Sequence, residues 1–289
     1  SIRACYASVM LSFAKMHGLG NDFVIIDCRD ARPSLSPDEV RRVADRRYGV
    51  GCDQVVCMTW PDDEPDDEGA ADIALDIYNC DGGRVGACGN ATRCVASLLM
   101  QERGTDRAVI NTPADRLVCH AVNDDKTRIT ANMGVPATDW QAIPLAAEAD
   151  TLNLELGPEA PGKAVAVNVG NPHAVFFVDD MDAIDIEREG AALSTNPIFP
   201  DGANIEFASV RDDKTIRMRV YERGAGVTQA CGTGACAALV AAVRRGLSQR
   251  QCRVKLDGGD LAVHWDNCDG RLYMTGDVVY VFDGVLHKL

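Results

Sequence analysis

The sequence predicts an α/β (α+β) protein of two pseudo-symmetric domains with a small-molecule site in the cleft between them. Three observations carry that expectation. Two Cys-Gly segments open apolar helix patterns: Cys88-Gly-Asn-Ala-Thr-Arg-Cys-Val-Ala-Ser-Leu-Leu, running to Gly104, and Cys231-Gly-Thr-Gly-Ala-Cys-Ala-Ala-Leu-Val-Ala-Ala, running to Gly246. Polar residues recur at matching offsets. Asn79 and Glu222 each stand nine residues before their cysteine, and Asn21/Asn171 and Gln54/Asn204 are pairs 150 residues apart, as a duplicated unit would give. Finally, 289 residues accommodate two domains of about 140 residues each. In a two-fold-like chain both Cys-Gly helix starts would face one interdomain cleft, where small-molecule sites favour forming.

Short β-branched runs alternate with a few helical stretches. Residues 23–26 (FVII) and 174–178 (AVFFV) read as buried strands, and residues 217–221 alternate as a half-buried strand does. Residues 37–48 read as a surface helix, with Ser36 as its cap and Pro37 in its first turn. Each Cys-Gly helix stops at a glycine that follows a basic residue. The second is apolar nearly all round until Arg244, which implies burial inside its domain. Residues 60–72 (WPDDEPDDEGAAD) are charge-rich and carry prolines, and read as a solvated loop.

Composition narrows the function. The chain is 46% apolar and 25% charged, an ordinary soluble balance, and its net charge of −14 argues against nucleic acid and anionic membrane surfaces as partners. No apolar run approaches the roughly 20 residues that span a bilayer. Residues 1–9 lack a long apolar core and do not read as a signal peptide, but as a processed or appended extension. The twelve cysteines show no Cys-x-x-Cys spacing and sit among apolar or Gly-rich residues, so the expectation is a reduced, cytoplasmic chain with no metal site. The six lysines include none in a Gly-rich phosphate context, so a pyridoxal phosphate Schiff base is not supported and no cofactor is expected. Gly18-Leu19-Gly20-Asn21 precedes a strand rather than following one, which removes the dinucleotide fingerprint.

A thiol at a helix N-terminus faces unpaired N–H groups and the positive end of the dipole, so its pKa is expected to fall toward neutrality. The same N–H groups, opened by Gly89 and Gly232, can bind a carboxylate or stabilise an enolate-like carbanion. Two such ends would set a thiolate and a thiol on opposite sides of one bound carbon. One removes a proton, the other delivers one, and the centre inverts. Cys88 and Cys231 are therefore the candidate bases, whereas Cys94 and Cys236, deeper in the same helices, read as core. His17 and His173, taken singly, read as structural.

The blocks Met16-His17-Gly18-Leu19-Gly20-Asn21-Asp22-Phe23, Asn79-Cys80-Asp81-Gly82, Cys88-Gly89-Asn90, Gly170-Asn171-Pro172-His173, Tyr221-Glu222-Arg223-Gly224-Ala225-Gly226 and Ala230-Cys231-Gly232-Thr233-Gly234 closely resemble the diaminopimelate epimerase family, in order, from about Met10 to the C-terminus. The resemblance implies two like domains, each a mostly antiparallel sheet curled around a central helix. Their expected bounds are 1–132, with 276–289 returning to it, and 133–275. It implies interconversion of LL- and meso-diaminopimelate without pyridoxal phosphate, in lysine and peptidoglycan precursor synthesis, with Cys88 and Cys231 as base and acid. Gly89, Asn90, Gly232 and Thr233 then match the segments that hold the carboxylate at the reacting carbon. Asn21, Gln54 and Glu222 match polar positions around that carbon, Glu222 as ammonium partner. Asn79, Asn171, Asn204 and Arg223 match the set for the non-reacting end, where the planar Arg223 fork suits a carboxylate. His173 is expected to orient neighbours. Two departures stand out: Cys80 where the family usually has Ala, and Ala91-Thr92 where Gly-Ala is commoner. Helix formation should survive the second. Proline racemases and hydroxyproline epimerases are the alternative, without need of the distal set, and a non-catalytic thiol or zinc-binding protein is a remoter one. The oligomeric state is left open, a homodimer being one option.

Overall fold

In a computed structural model of the chain, residues 11–30, 35–62 and 69–286 are described. The N-terminal extension and residues 63–68 of the acidic loop lie outside them. The chain forms two compact units, Ser1–Ile129 with Asp277–Leu289, and Thr130–Gly276.

The first unit runs β1 (Leu11–Gly18), β2 (Asn21–Asp27), α1 (Pro37–Ala44), β3 (Gln54–Thr59), β4 (Ile73–Asn79), β5 (Arg84–Val85), α2 (Gly89–Arg103), β6 (Arg107–Asn111) and β7 (Arg116–Ala121). Contacts β2–β3 and β4–β6 are parallel, while β1–β2, β3–β4, β4–β5 and β6–β7 are antiparallel. α2 packs against β1 and β2 and also against β6 and β7, strands from both ends of that order, so the sheet curls around the helix. That placement explains why α2 is buried on nearly every side from Gly89 to Met100, with Arg93 and Asn90 enclosed alongside Val95 and Leu99. Gly104 ends it in the left-handed region at φ 66°, as its position after a basic residue predicts.

The second unit follows in chain order: β8 (Arg128–Asn132), β9 (Val165–Asn168), β10 (Pro172–Phe177), α3 (Ile186–Ser194), β11 (Asn204–Asp212), β12 (Thr215–Glu222), β13 (Gly226–Thr228), α4 (Gly232–Arg244), β14 (Gln251–Lys255), β15 (Asp260–Trp265) and β16 (Leu272–Asp277). Its pairings repeat those of the first in order and sense. β9–β10 is antiparallel, β10–β11 parallel, β11–β12 and β12–β13 antiparallel, β12–β14 parallel and β14–β15 antiparallel. α4 touches β9, β10, β11, β12, β14 and β15, and its residues from Ala235 to Ala242 have no exposed surface. An apolar surface all round the helix has apolar neighbours on every side. The last strand, β17 (Val279–Leu286), pairs antiparallel with β1.

The strands expected over 23–26 and 217–221 appear within β2 and β12, and that over 174–178 appears as β10, which ends at Phe177, one residue short of Val178. The surface helix is shorter than its sequence suggests. α1 starts as expected, with Ser36 and Glu39 forming a reciprocal capping box, but stops at Ala44. The Asp45 carboxylate accepts from the N–H groups of Arg47 and Tyr48, each at 2.7 Å, and turns the chain out of the helix. At the end of the acidic loop, Asp72 is not simply solvated: it pairs with Arg103 and accepts from the Val109 N–H.

Candidate active site

In the first unit the polar residues collect where β2 and β3 begin, β4 ends and α2 begins. Asn21 opens β2, Gln54 opens β3, Asn79 closes β4 and Cys88 is the N-cap of α2. The Gln54 Nε2 donates to Asn79 Oδ1 at 2.9 Å. Asn21 Oδ1 accepts from Asn90 Nδ2 at 3.1 Å and lies 3.9 Å from Cys88 Sγ, which donates to it. Asn21 is itself turned by Asp53, whose carboxylate accepts from Asn21 Nδ2 at 3.1 Å. Behind these stands an ion network: Arg46 donates to Asp22 at 2.7 Å and to Asp53 at 2.8 Å, and Lys15 pairs with Asp22. Burial works to raise the Asp22 carboxyl, but Arg46, Lys15 and the Asp53 N–H outweigh it and hold it far below the usual carboxylate range. Cys80, beside Asn79, is exposed.

The second unit repeats the plan. Asn171 precedes β10, Asn204 opens β11, Glu222 closes β12 and Cys231 is the N-cap of α4. The Cys231 Sγ accepts from the Gly234 N–H at 3.3 Å and lies 3.5 Å from Thr233 Oγ1. Glu222 accepts from Thr228 Oγ1. Asn204 Oδ1 accepts from the Arg223 N–H at 2.8 Å, while the Arg223 guanidinium donates to the Asp201 carbonyl at 2.6 Å. Each half-set thus brings its named residues to the same strand ends and the same helix start.

The electrostatics correct one expectation. The Cys231 thiol is not lowered toward neutrality but held well above its usual range, by burial first and then by the Glu222 and Glu206 carboxylates. The Thr233 hydroxyl and Gly234 N–H pull the other way and lose. Burial likewise raises the Glu222 carboxyl, against its hydrogen bonds to Thr228 and Cys231. A helix N-terminus favours the thiolate by about a kcal/mol, and two nearby carboxylates in a dry setting exceed that. The Cys231 group is therefore a proton-bearing thiol at neutral pH.

Sequence reasoning missed Glu206. It lies on β11 two residues beyond Asn204, has no exposed surface, and sits 2.7 Å from His173 Nδ1. A carboxyl inside an otherwise apolar run (NIEFA) was the available signal. His173 is buried as a core histidine would be, yet bonded on both ring nitrogens. Cys94 and Cys236 are core, as expected. No cluster of His, Cys, Asp and Glu able to hold a metal occurs among the described residues.

The fold is that of a class of epimerases, racemases and related isomerases. The chain superposes on a hydroxyproline epimerase from Agrobacterium vitis with a TM-score of 0.70 at 16% identity, covering 97% of this chain and 93% of the other. A PhzF-family phenazine biosynthesis protein from Bacillus anthracis gives 0.64 at 17%, covering 96% and 99%. The chain belongs to the diaminopimelate epimerase family, whose profile matches residues 13–138 and 165–281. It is 48% identical over 276 residues to the diaminopimelate epimerase of Rhodospirillum centenum, covering 96% of this chain and 92% of that one. Against the enzyme of Acidiphilium cryptum it is 47% identical, covering 95% of each.

Proposed function

We propose that this chain interconverts LL- and meso-diaminopimelate by proton removal from one face of the α-carbon and delivery to the other, with Cys88 and Cys231 as the two proton carriers. The observation that carries the reading is the equivalent placement of the two thiols, each the N-cap of the buried central helix of its unit. The first-turn N–H groups at Gly89, Asn90, Gly232 and Thr233 bind the adjacent carboxylate and stabilise the carbanion. Asn21, Gln54 and Glu222 surround the reacting carbon, and Glu222 pairs with its ammonium group. Asn79, Asn171, Asn204 and Arg223 take the non-reacting end. A proton-bearing Cys231 is the acid when Cys88 acts as thiolate, one neutral and one ionised thiol being what a coupled pair prefers. No cofactor enters this chemistry.

The membership in a family named for diaminopimelate, together with the four distal residues, favours this substrate over a one-centred amino acid such as proline. The cytoplasm is the proposed location, in keeping with twelve cysteines that show no Cys-x-x-Cys spacing in a chain long enough to form a core without disulfides. No helix among the described residues is long and apolar enough to cross a membrane. A homodimer is the proposed assembly, supported by the exposed apolar row Val279, Tyr280, Val281, Phe282 and Val285 along β17.

The test is incubation of reduced protein with LL-diaminopimelate in deuterated water, expecting the meso form with deuterium at the inverted carbon. Cys88→Ala and Cys231→Ala should each lose about 10²-fold or more with circular dichroism unchanged. Lysine and proline should be turned over at least about 10³-fold less efficiently than diaminopimelate, because each leaves polar groups of the far-end set unpaired. Proline turning over as well as diaminopimelate would move the chain to the racemase reading.

A further inference from the structure

In the first unit two amide side chains stand in series between a buried cation and an anion. Arg93, which has no exposed surface, donates through Nη2 to Asn90 Oδ1 at 2.8 Å. Asn90 Nδ2 donates to Asn21 Oδ1 at 3.1 Å, and Asn21 Nδ2 donates to Asp53 Oδ2 at 3.1 Å. The two ends leave the amides no choice of direction. A guanidinium only donates and a carboxylate only accepts, so Asn90 turns its oxygen to Arg93 and Asn21 its nitrogen to Asp53. The Asn21 oxygen is then what faces Cys88 Sγ, 3.9 Å away. Asp53 is itself fixed from both sides. Its Oδ2 also accepts from the Asp22 N–H at 3.1 Å, and its Oδ1 from Arg46 Nη2 at 2.8 Å. The second unit carries neither end. By strand register and by distance from the helix cap, its positions for Asp53 and Arg93 are Ala203 and Cys236, both fully buried. The same strands close there over a helix without a charge, and burying a guanidinium is costly, so the fold itself does not call for the series.

We propose that Asp53 and Arg93 are positioning residues for Cys88: from opposite ends of the series they lock Asn21 with its oxygen, and never an N–H, toward the sulfur. This deepens, and rests on, the reading of Cys88 as a proton carrier. The direction matters because the Cys88 thiolate has to be a strong base when it takes the α-proton. An amide N–H on the sulfur would stabilise the thiolate and weaken it as a base, whereas a carbonyl oxygen gives it no such help. Once Cys88 holds the proton, the same oxygen accepts the S–H and fixes its direction. The two locks back each other. With Asp53 in place, turning the Asn21 amide would set its oxygen against a carboxylate. With Arg93 in place, the turn would set the Asn21 nitrogen against the Asn90 nitrogen, which Arg93 keeps facing that way. Only the loss of both lets the two amides turn together and bring Asn21 Nδ2 to the sulfur.

The experiment is a double-variant cycle of Asp53→Ala and Arg93→Cys, the two residues the second unit already carries at these positions, which guards against a folding failure. Each single variant should lower kcat for diaminopimelate about 3-fold, because one lock remains. The double variant should lower it about 50-fold, well past the roughly 10-fold that independent effects would give. Asp53→Asn in the Arg93→Cys background removes the charge but keeps an acceptor. Its oxygen belongs on the side of Asn21 Nδ2 and the Asp22 N–H, two donors against the one from Arg46. There kcat should return to within about 3-fold of Arg93→Cys alone, which a general loss of stability would not allow. Independent losses in the cycle, or an Asp53→Asn variant as slow as Asp53→Ala in that background, would each overturn the proposal. Cys88→Ala separates the premise. If that variant keeps full activity, the reading of Cys88 falls and takes the link to proton transfer with it. Nitrogen-15 NMR of the Asn21 side-chain amide still decides the rest: its signal should move in the double variant and return with Asp53→Asn, and an amide unmoved in the double variant shows that the two ends do not hold it.

Discussion

At Gly234 a single methyl group has nowhere to go. The added Cβ would meet Glu206 Oε1 at 2.9 Å and Cys231 Sγ at 3.2 Å, the first buried and bonded to His173 Nδ1, the second bonded to the Gly234 N–H. Ala91 occupies the equivalent position in the first unit, where the strand register matches Glu206 with the apolar, buried Val56. Gly234→Ala should therefore lower stability by about 1–3 kcal/mol, measured by urea unfolding, and should also disturb the N–H that Cys231 accepts. The thiol itself yields a second expectation. With Cys231 held well above its usual range, its alkylation by iodoacetamide in the substrate-free protein should be slow at pH 7 and climb beyond pH 9. Mass spectrometry of the labelled peptide checks this, and full-rate labelling at pH 7 would contradict it. The Cys-Gly helix start was plain in the sequence. What reverses its effect is burial together with the Glu222 and Glu206 carboxylates of β12 and β11, an environment that exists only once the strands are folded around the helix start.

Among the elements, α1 shows how local signals succeed and where they stop. Ser36 accepts from the Glu39 N–H at 3.3 Å, and the Glu39 carboxylate accepts from the Ser36 N–H at 2.8 Å. Ser36→Ala should cost about 1 kcal/mol in chemical denaturation, since the Glu39 N–H loses its acceptor. This start is written in Ser36-Pro37 and needs no tertiary contact. The end is not, because Asp45 is an unremarkable helix residue until its side chain caps the next turn instead. The central helices were legible for a different reason. Apolar residues on every side leave burial as the only stable placement, and α2 and α4 obey it although Arg93 and Asn90 go inside with the rest. What makes room for those two is mutual: Arg93 donates to Asn90 Oδ1 at 2.8 Å.

For the molecule as a whole, the buried thiols tie stability to alkaline pH. Burial pushes Cys52, Cys94 and Cys119 each up to about 12, against a usual value of 9.0. Below pH 9 the folded and unfolded forms bind these protons alike. Above it the unfolded thiols ionise while the folded ones do not, so stability falls between pH 9 and 12, by about 1.4 kcal/mol per pH unit per thiol. The acid limb has the opposite sign. Asp22, held far below its usual 3.8, contributes stability above that value that is lost as pH falls through its folded range. Thermal melts across pH should show both limbs, and Asp22→Asn should flatten the acid one. A melting temperature indifferent to pH between 9 and 11 would contradict the alkaline claim.

The sequence by itself determined the duplication, the two buried helices, their cysteine N-caps and the polar residues at matching strand ends. Each of these is a local pattern or a repeat, and periodicity, capping and self-similarity are all written along the chain. Only the tertiary structure decided that the Cys231 thiol stays protonated, that Asp53 and Arg46 stand behind Asn21, and that Glu206 lies under His173. Those outcomes depend on burial and on pairs from different elements: Glu206 is 33 residues from His173 and Asp53 is 32 from Asn21. A charge's environment is the sum of everything folded around it, and no stretch of the chain carries that sum alone.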